Sequence, residues 1–129
     1  MTDLIEVKTA DLVGEQLNWS VAIAMDLNPS VVPAQYGVPA RVFIQQEGMF
    51  PVRYKPSLDW QVGGPLIESG ELTVEPSAWD WQRKCVMWRA QAEDECQYFE
   101  HTNLLVSAMR AVVHAKLGDT VQVPKELMP

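Results

Sequence analysis

Two cysteines and two histidines are all that this chain of 129 residues holds. That is too little cysteine for a disulfide framework, and Cys85 and Cys96 are expected as reduced thiols. With His101 and His114 they leave ten, four and twelve residues between successive members. Compact zinc sites keep at least one ligand pair about two to four residues apart, so neither a metal site nor a bound cofactor is expected. Long apolar runs are also missing: none approaches the roughly 20 residues that cross a bilayer. The start lacks the basic-then-apolar layout of an export signal, and a cytoplasmic location is the expectation. Basic residues are in deficit, ten against seventeen acidic, for a net charge of −7. Such a surface repels a phosphate backbone, which argues against direct nucleic-acid binding. The carboxylates are spread along the chain, so mimicry of DNA is not indicated either. No EF-hand, P-loop, GxSxG or HExxH spacing occurs. Cys96 near His101 is no thiolate pair, because Glu93, Asp94 and Glu95 beside it would raise a thiol pKa. No catalytic set emerges, and the chain is not expected to be an enzyme.

What is present is an ordinary globular composition, 47% hydrophobic and 21% charged, of a length that suits one domain over residues 1–129. Val13, Leu17, Val21 and Ala24 recur at helical spacing over residues 13–25, with Asp11 as the expected N-cap. Residues 27–39 hold three prolines and read as a loop. Residues 41–45 and 50–54 read as a hairpin around Gly48, residues 72–75 and 84–91 as further strands, and 121–123 as an edge strand. Residues 55–70, with Pro56, Gly63, Gly64 and Pro65, read as an ordered loop. Thr102 or Asn103 caps a last helix that runs to about Leu117, buries Leu105, Ala108, Met109 and Val112, and stops at Gly118. The fold class expected is α+β: a small antiparallel sheet of three or four strands packed with an N-terminal and a C-terminal helix.

Three features bear on function. In D-W-Q-V-G-G-P-L-I-E, Gly63 and Gly64 permit close backbone approach, Trp60 offers a stacking face, and Asp59 or Glu68 accepts hydrogen bonds. The segment is either a ligand cradle or a tight turn whose Trp packs on the sheet. On the last helix Asn103, Ser107, Arg110 and His114 share one face. That face is either solvated or borders a cleft in which Arg110 clamps a carboxylate or phosphate. Among the five tryptophans, Trp79 and Trp81 lie in a polar loop, P-S-A-W-D-W-Q-R-K, and are the expected exposed pair, an interface anchor. The aromatic content would also suit a homodimer.

The blocks L-x-G-x-x-L-x-W-x-V-A (Leu12 to Ala22), D-W-x-x-G-G-P-L-I-E, W-x-A (Trp88, Ala90), A-M-R and K-L-G-D-x-V-x-V-P-x-E-L resemble the NinX-type phage protein family and cover nearly the whole chain. The chain departs from that pattern in a longer proline-rich segment before the first strands and in Glu100, His101 and Thr102 ahead of the last helix. The resemblance implies a phage origin and a role in the host cytoplasm, with no assigned active site. Its signature positions include Trp60, Gly63, Gly64, Glu68 and Arg110. These are the residues singled out above, and the expectation is a non-enzymatic binding protein that holds a small polar or nucleotide-like ligand there. The alternative is an interaction module that inhibits or redirects a host protein through Trp79 and Trp81.

Overall fold

The computed structural model describes residues 3–93 and 95–128; Asp94, one of the acidic neighbours invoked for Cys96, lies outside them. Strand β1 (Leu4–Lys8) leads through a 3₁₀ turn (Thr9–Asp11) into helix α1 (Gly14–Ala24). Then come β2 (Ser30–Val32), β3 (Arg41–Ile44), β4 (Val52–Arg53) and helix α2 (Trp60–Ser69). They are followed by β5 (Thr73–Trp79), β6 (Cys85–Gln91), β7 (Phe99–His101), helix α3 (Leu104–Leu117) and β8 (Thr120–Pro124). The class is α+β, as expected. The antiparallel strands are divided among three small sheets, β1–β8, β2–β3–β4 and β5–β6–β7.

Helix α3 is the central element. It packs on α1, α2, β6, β7 and β8, and Leu105, Ala108, Met109 and Val112 are all buried, as their spacing predicts. Asn103 caps it, its Oδ1 accepting from the Val106 amide at 3.2 Å, and Gly118 ends it with φ of 87°. Helix α1 starts later than expected. Asp11 is taken up in the 3₁₀ turn, Leu12 is buried, and Gly14 reverses the chain at φ of 58°, so Val13 occupies the cap position.

Polar side chains join the small sheets. From the first turn of α1, Glu15 accepts from the Val42 amide of β3 at 2.9 Å and from Arg53 of β4 at 2.6 Å. The same guanidinium donates to the Val42 and Tyr54 carbonyls, each at 3.2 Å. One turn on, the fully buried Asn18 accepts from the Ser57 hydroxyl at 2.8 Å and its amide at 3.2 Å. These bonds fix α1 against the middle sheet and the approach to α2. Tyr54, buried beside this network, has its phenol pushed up to about 12 by desolvation. At the other end of the molecule Thr9 donates through its hydroxyl to the Gly118 carbonyl at 2.6 Å and through its amide to that of Asp119 at 2.8 Å.

Two segments read as loops hold regular structure. Within residues 27–39, β2 pairs with β3 through a tight turn in which Tyr36 and Gly37 both have positive φ, 51° and 79°, the backbone a two-residue hairpin turn requires. Residues 60–69 form α2 in spite of Gly63, Gly64 and Pro65. Asp59 caps the helix by accepting from the Gln61 amide at 3.0 Å, and tertiary contact supplies what propensity does not. A Cβ at Gly63 would lie 2.4 Å from the Pro56 carbonyl oxygen and 2.9 Å from Leu105, so only glycine lets α2 settle this close to α3 and to its own approach segment. The helix closes with a left-handed residue, Glu71 at φ of 51°. The Glu71 amide bonds the Glu68 carbonyl at 3.1 Å and the Leu72 amide bonds that of Ile67 at 3.2 Å. Glycine is the usual residue at such a position.

Gly63→Ala is expected to lower unfolding stability by about 2–3 kcal/mol, since the Pro56 carbonyl on one side and the Leu105 side chain on the other must move to admit one methyl group. Urea denaturation measures this; a loss below about 0.5 kcal/mol would mean that α2 shifts freely.

Candidate functional site

The residues singled out in the sequence are distributed over both ends of α2 and the interior. Trp60 stands at the first position of α2, 56% exposed, with its ring along the helix over Gly64, where an added Cβ would come 3.7 Å from the indole. Glu68 is exposed near the other end, about 12 Å away at the rise of a helix. Gly63 faces inward against Pro56 and Leu105. The expected glycine-rich loop is a helix, in which Gly63 allows close packing.

The polar face of α3 is an internal seam. Ser107 is fully buried and its hydroxyl donates to the Leu104 carbonyl at 2.7 Å. Arg110 is 7% exposed. Its Nε donates to the Leu12 carbonyl at 2.8 Å and its Nη1 to the Glu100 carbonyl at 3.2 Å. Burial pushes the guanidinium below its ordinary pKa, and Asp11 acts in the opposite sense. A lysine could not match this role, because the two carbonyls need donors in a fixed planar fork. His114 sits between carboxylates, Nε2 at 2.7 Å from Asp119 and Nδ1 at 3.7 Å from Glu95, with its ring tilted against Phe99 at 5.2 Å. The two carboxylates lie at opposite ring nitrogens and do not converge on a common point. Among the described residues no group of three or more His, Cys, Asp or Glu is placed to hold a metal.

The exposed aromatic pair is held by a well-ordered turn. Trp79 ends β5 and is not part of a loop; it is paired with Cys85 of β6 and is 57% exposed. Asp80 then organises the connection: its carboxylate accepts from the Gln82 amide at 2.8 Å and the Lys84 amide at 3.0 Å. The Asp80 amide also bonds the Lys84 carbonyl at 2.9 Å and the Arg83 amide that of Asp80 at 3.0 Å. Arg83 takes positive φ, 64°. Trp81 at the apex is 88% exposed, on a turn whose backbone is fixed by four hydrogen bonds. Asp80 escaped notice in the sequence, although an aspartate opening a short polar link between two strands is itself a turn signal.

Behind the hairpin, Arg89 of β6 bonds Glu75 of β5 at 2.5 Å and stacks on Tyr98 at 5.2 Å. The bond to Glu75 raises the Arg89 pKa. Beta5 is an open edge, but Pro76 and two register irregularities interrupt it, devices that hinder strand addition.

The molecule is a small antiparallel α+β domain with a polar seam along α3 and an aromatic hairpin whose turn is held by hydrogen bonds. The family model described as Bacteriophage P22, NinX matches residues 8–116, and the chain belongs to that family. It is a phage accessory protein. A comparison with curated proteins gave no match. Among the described residues, no helix is long and apolar enough to cross a membrane.

Two outcomes follow from the seam. Arg110→Lys is expected to destabilise the fold by about 2 kcal/mol by leaving buried carbonyls unsatisfied, and urea denaturation that leaves stability unchanged would remove Arg110 from this role. His101 has its pKa lowered, first by desolvation and then by Arg110. Below the ordinary value of 6.5 the unfolded chain takes up a proton that the folded one resists, so stability falls as pH drops from there. His101→Asn should flatten that slope in melting curves recorded between pH 7 and 5; an unchanged slope would refute it.

Proposed function

We propose that this phage accessory protein is a non-enzymatic interaction module that inhibits or redirects a host protein through the hairpin carrying Trp79 and Trp81. The observation that supports this reading is the turn at residues 80–84. Leaving an indole 88% exposed is unfavourable for the isolated chain, and fixing its backbone beforehand lowers the entropy lost on association. Tryptophan is among the residues that dominate interface energetics. Arg83 and Lys84, both exposed, flank the aromatic pair in a chain of net charge −7. A partner surface with an apolar pocket bordered by carboxylates fits this tip.

The small-ligand reading built on Trp60 and Arg110 has less support, since Arg110 already donates to two backbone carbonyls and Trp60 lies along its own helix.

The test is capture from host lysate by immobilised wild type and by the Trp79→Ala/Trp81→Ala double variant, with the captured protein identified and its affinity then measured with purified components. Both indoles are exposed, so stability should stay within about 0.5 kcal/mol, while affinity should fall at least roughly a hundredfold for two anchor residues. Undiminished affinity in a folded double variant would exclude the hairpin.

A further inference from the structure

The β1–β8 ribbon has two strands, and a ribbon of that size is marginal on its own. Its hydrogen bonding shows which backbone groups are spare. The Lys125 amide bonds the Asp3 carbonyl and the Thr9 amide bonds that of Asp119, with an unbroken register between them. Antiparallel ladders alternate, so Ile5 and Val7 turn their backbone groups to β8 while Leu4, Glu6 and Lys8 turn theirs away. Among the described residues nothing pairs with those outward groups. The same alternation puts the backbone of Pro124 on the outer edge of β8, where the missing amide blunts pairing. Strand β1 has no proline and no register irregularity.

The side chains of β1 are also incompletely covered on that flank. Ile5 and Val7 pack against the core yet stay half-buried, whereas Val123 and Val121 opposite them are buried. On the outer face Glu6 and Lys8 are exposed, and among the described residues neither joins an ion pair. A lysine on an edge strand can by itself deter pairing. A glutamate two residues before it changes the outcome. If two copies of β1 lie antiparallel about Val7, Glu6 of each stands opposite Lys8 of the other. Registers centred on Glu6 or on Lys8 set like charges face to face, which is destabilising.

We propose that β1 is a self-association edge, to which a second copy of this chain adds antiparallel about Val7. Each Glu6–Lys8 pair across the junction exchanges both backbone hydrogen bonds, and the two Val7 side chains meet at the closer, non-bonded position between them. Two ribbons of two strands become one sheet of four. The edge is separate from the Trp79 and Trp81 hairpin, and neither depends on the other.

Sedimentation velocity of the full chain should show a monomer giving way to a dimer as concentration is raised to about 0.5 mM. Glu6→Lys and Lys8→Glu should each weaken the dimer at least about tenfold, since both junction pairs become like-charged. Glu6→Lys also reduces the net charge of −7, so overall repulsion would predict the opposite change for that variant. Mixed together, the two variants complement one another and should form a heterodimer of near wild-type affinity. Glu6→Pro removes an outward amide that β8 does not use. It should abolish the dimer while the circular dichroism spectrum stays that of the folded chain. A wild type that remains monomeric throughout would overturn the proposal. So would a dimer that survives either charge reversal, or mixed variants that fail to pair.

Discussion

The carboxylate of Glu15 joins what the backbone ladders leave separate. Three sheets of two or three strands cannot share one continuous set of backbone bonds, and each is near the lower limit of what is stable alone. Glu15 reaches from α1 to the Val42 amide and to Arg53, and so ties a helix to two strands through one side chain. It stands in the first turn of its helix, where negative charge is favoured. Thr9 and Arg110 follow the same logic elsewhere, each bringing side-chain donors to backbone carbonyls of a distant segment. The domain coheres because buried and half-buried polar side chains complete hydrogen bonds between the ends of elements, with the apolar face of α3 as the common floor. Removing such a side chain leaves its partners buried and unpaired, the more damaging half of a lost hydrogen bond.

This dependence explains what could be read from the sequence. The outer helices were legible because their apolar spacing is local, and so were β3, β4, β6 and β8 from β-branched and aromatic runs. The helix at residues 60–69 was not. Gly63, Gly64 and Pro65 argue for a turn on propensity, and the reason for a glycine at position 63 is a carbonyl at Pro56 and a methyl of Leu105, neither of which a local window weighs. Arg110 stood out in the sequence as part of the polar face of the last helix. Its partners, Leu12 and Glu100, are set by the fold, so the sequence left open whether it faced solvent or a cleft. Trp79 and Trp81 were legible as exposed, but the turn that fixes them depends on Asp80, whose signal is weaker than that of the glycine pairs that usually mark hairpins.

Net charge describes this molecule poorly at short range. Of the arginines, Arg53 and Arg89 are paired with glutamates and Arg110 is inside, so three of the positive charges serve the fold. Arg83 and Lys84 stand together at the hairpin tip, which is locally basic on an acidic protein.

The pairing of β1 with β8 places Leu4 beside Pro124 and Lys8 beside Thr120. A pull applied at the two outer ends of this ribbon loads its hydrogen bonds one after another, starting with the bond from the Lys125 amide to the Asp3 carbonyl, and not all at once in shear. Forced unfolding is governed by the barrier along that path, and a ribbon opened bond by bond presents a low one. Thr9 and its bonds to Gly118 and Asp119 stand just behind the last pair, so once the ribbon has peeled, the next load falls on the end of α3. A molecule joined this way can resist heat through its core and still yield readily to a machine that threads it from an end.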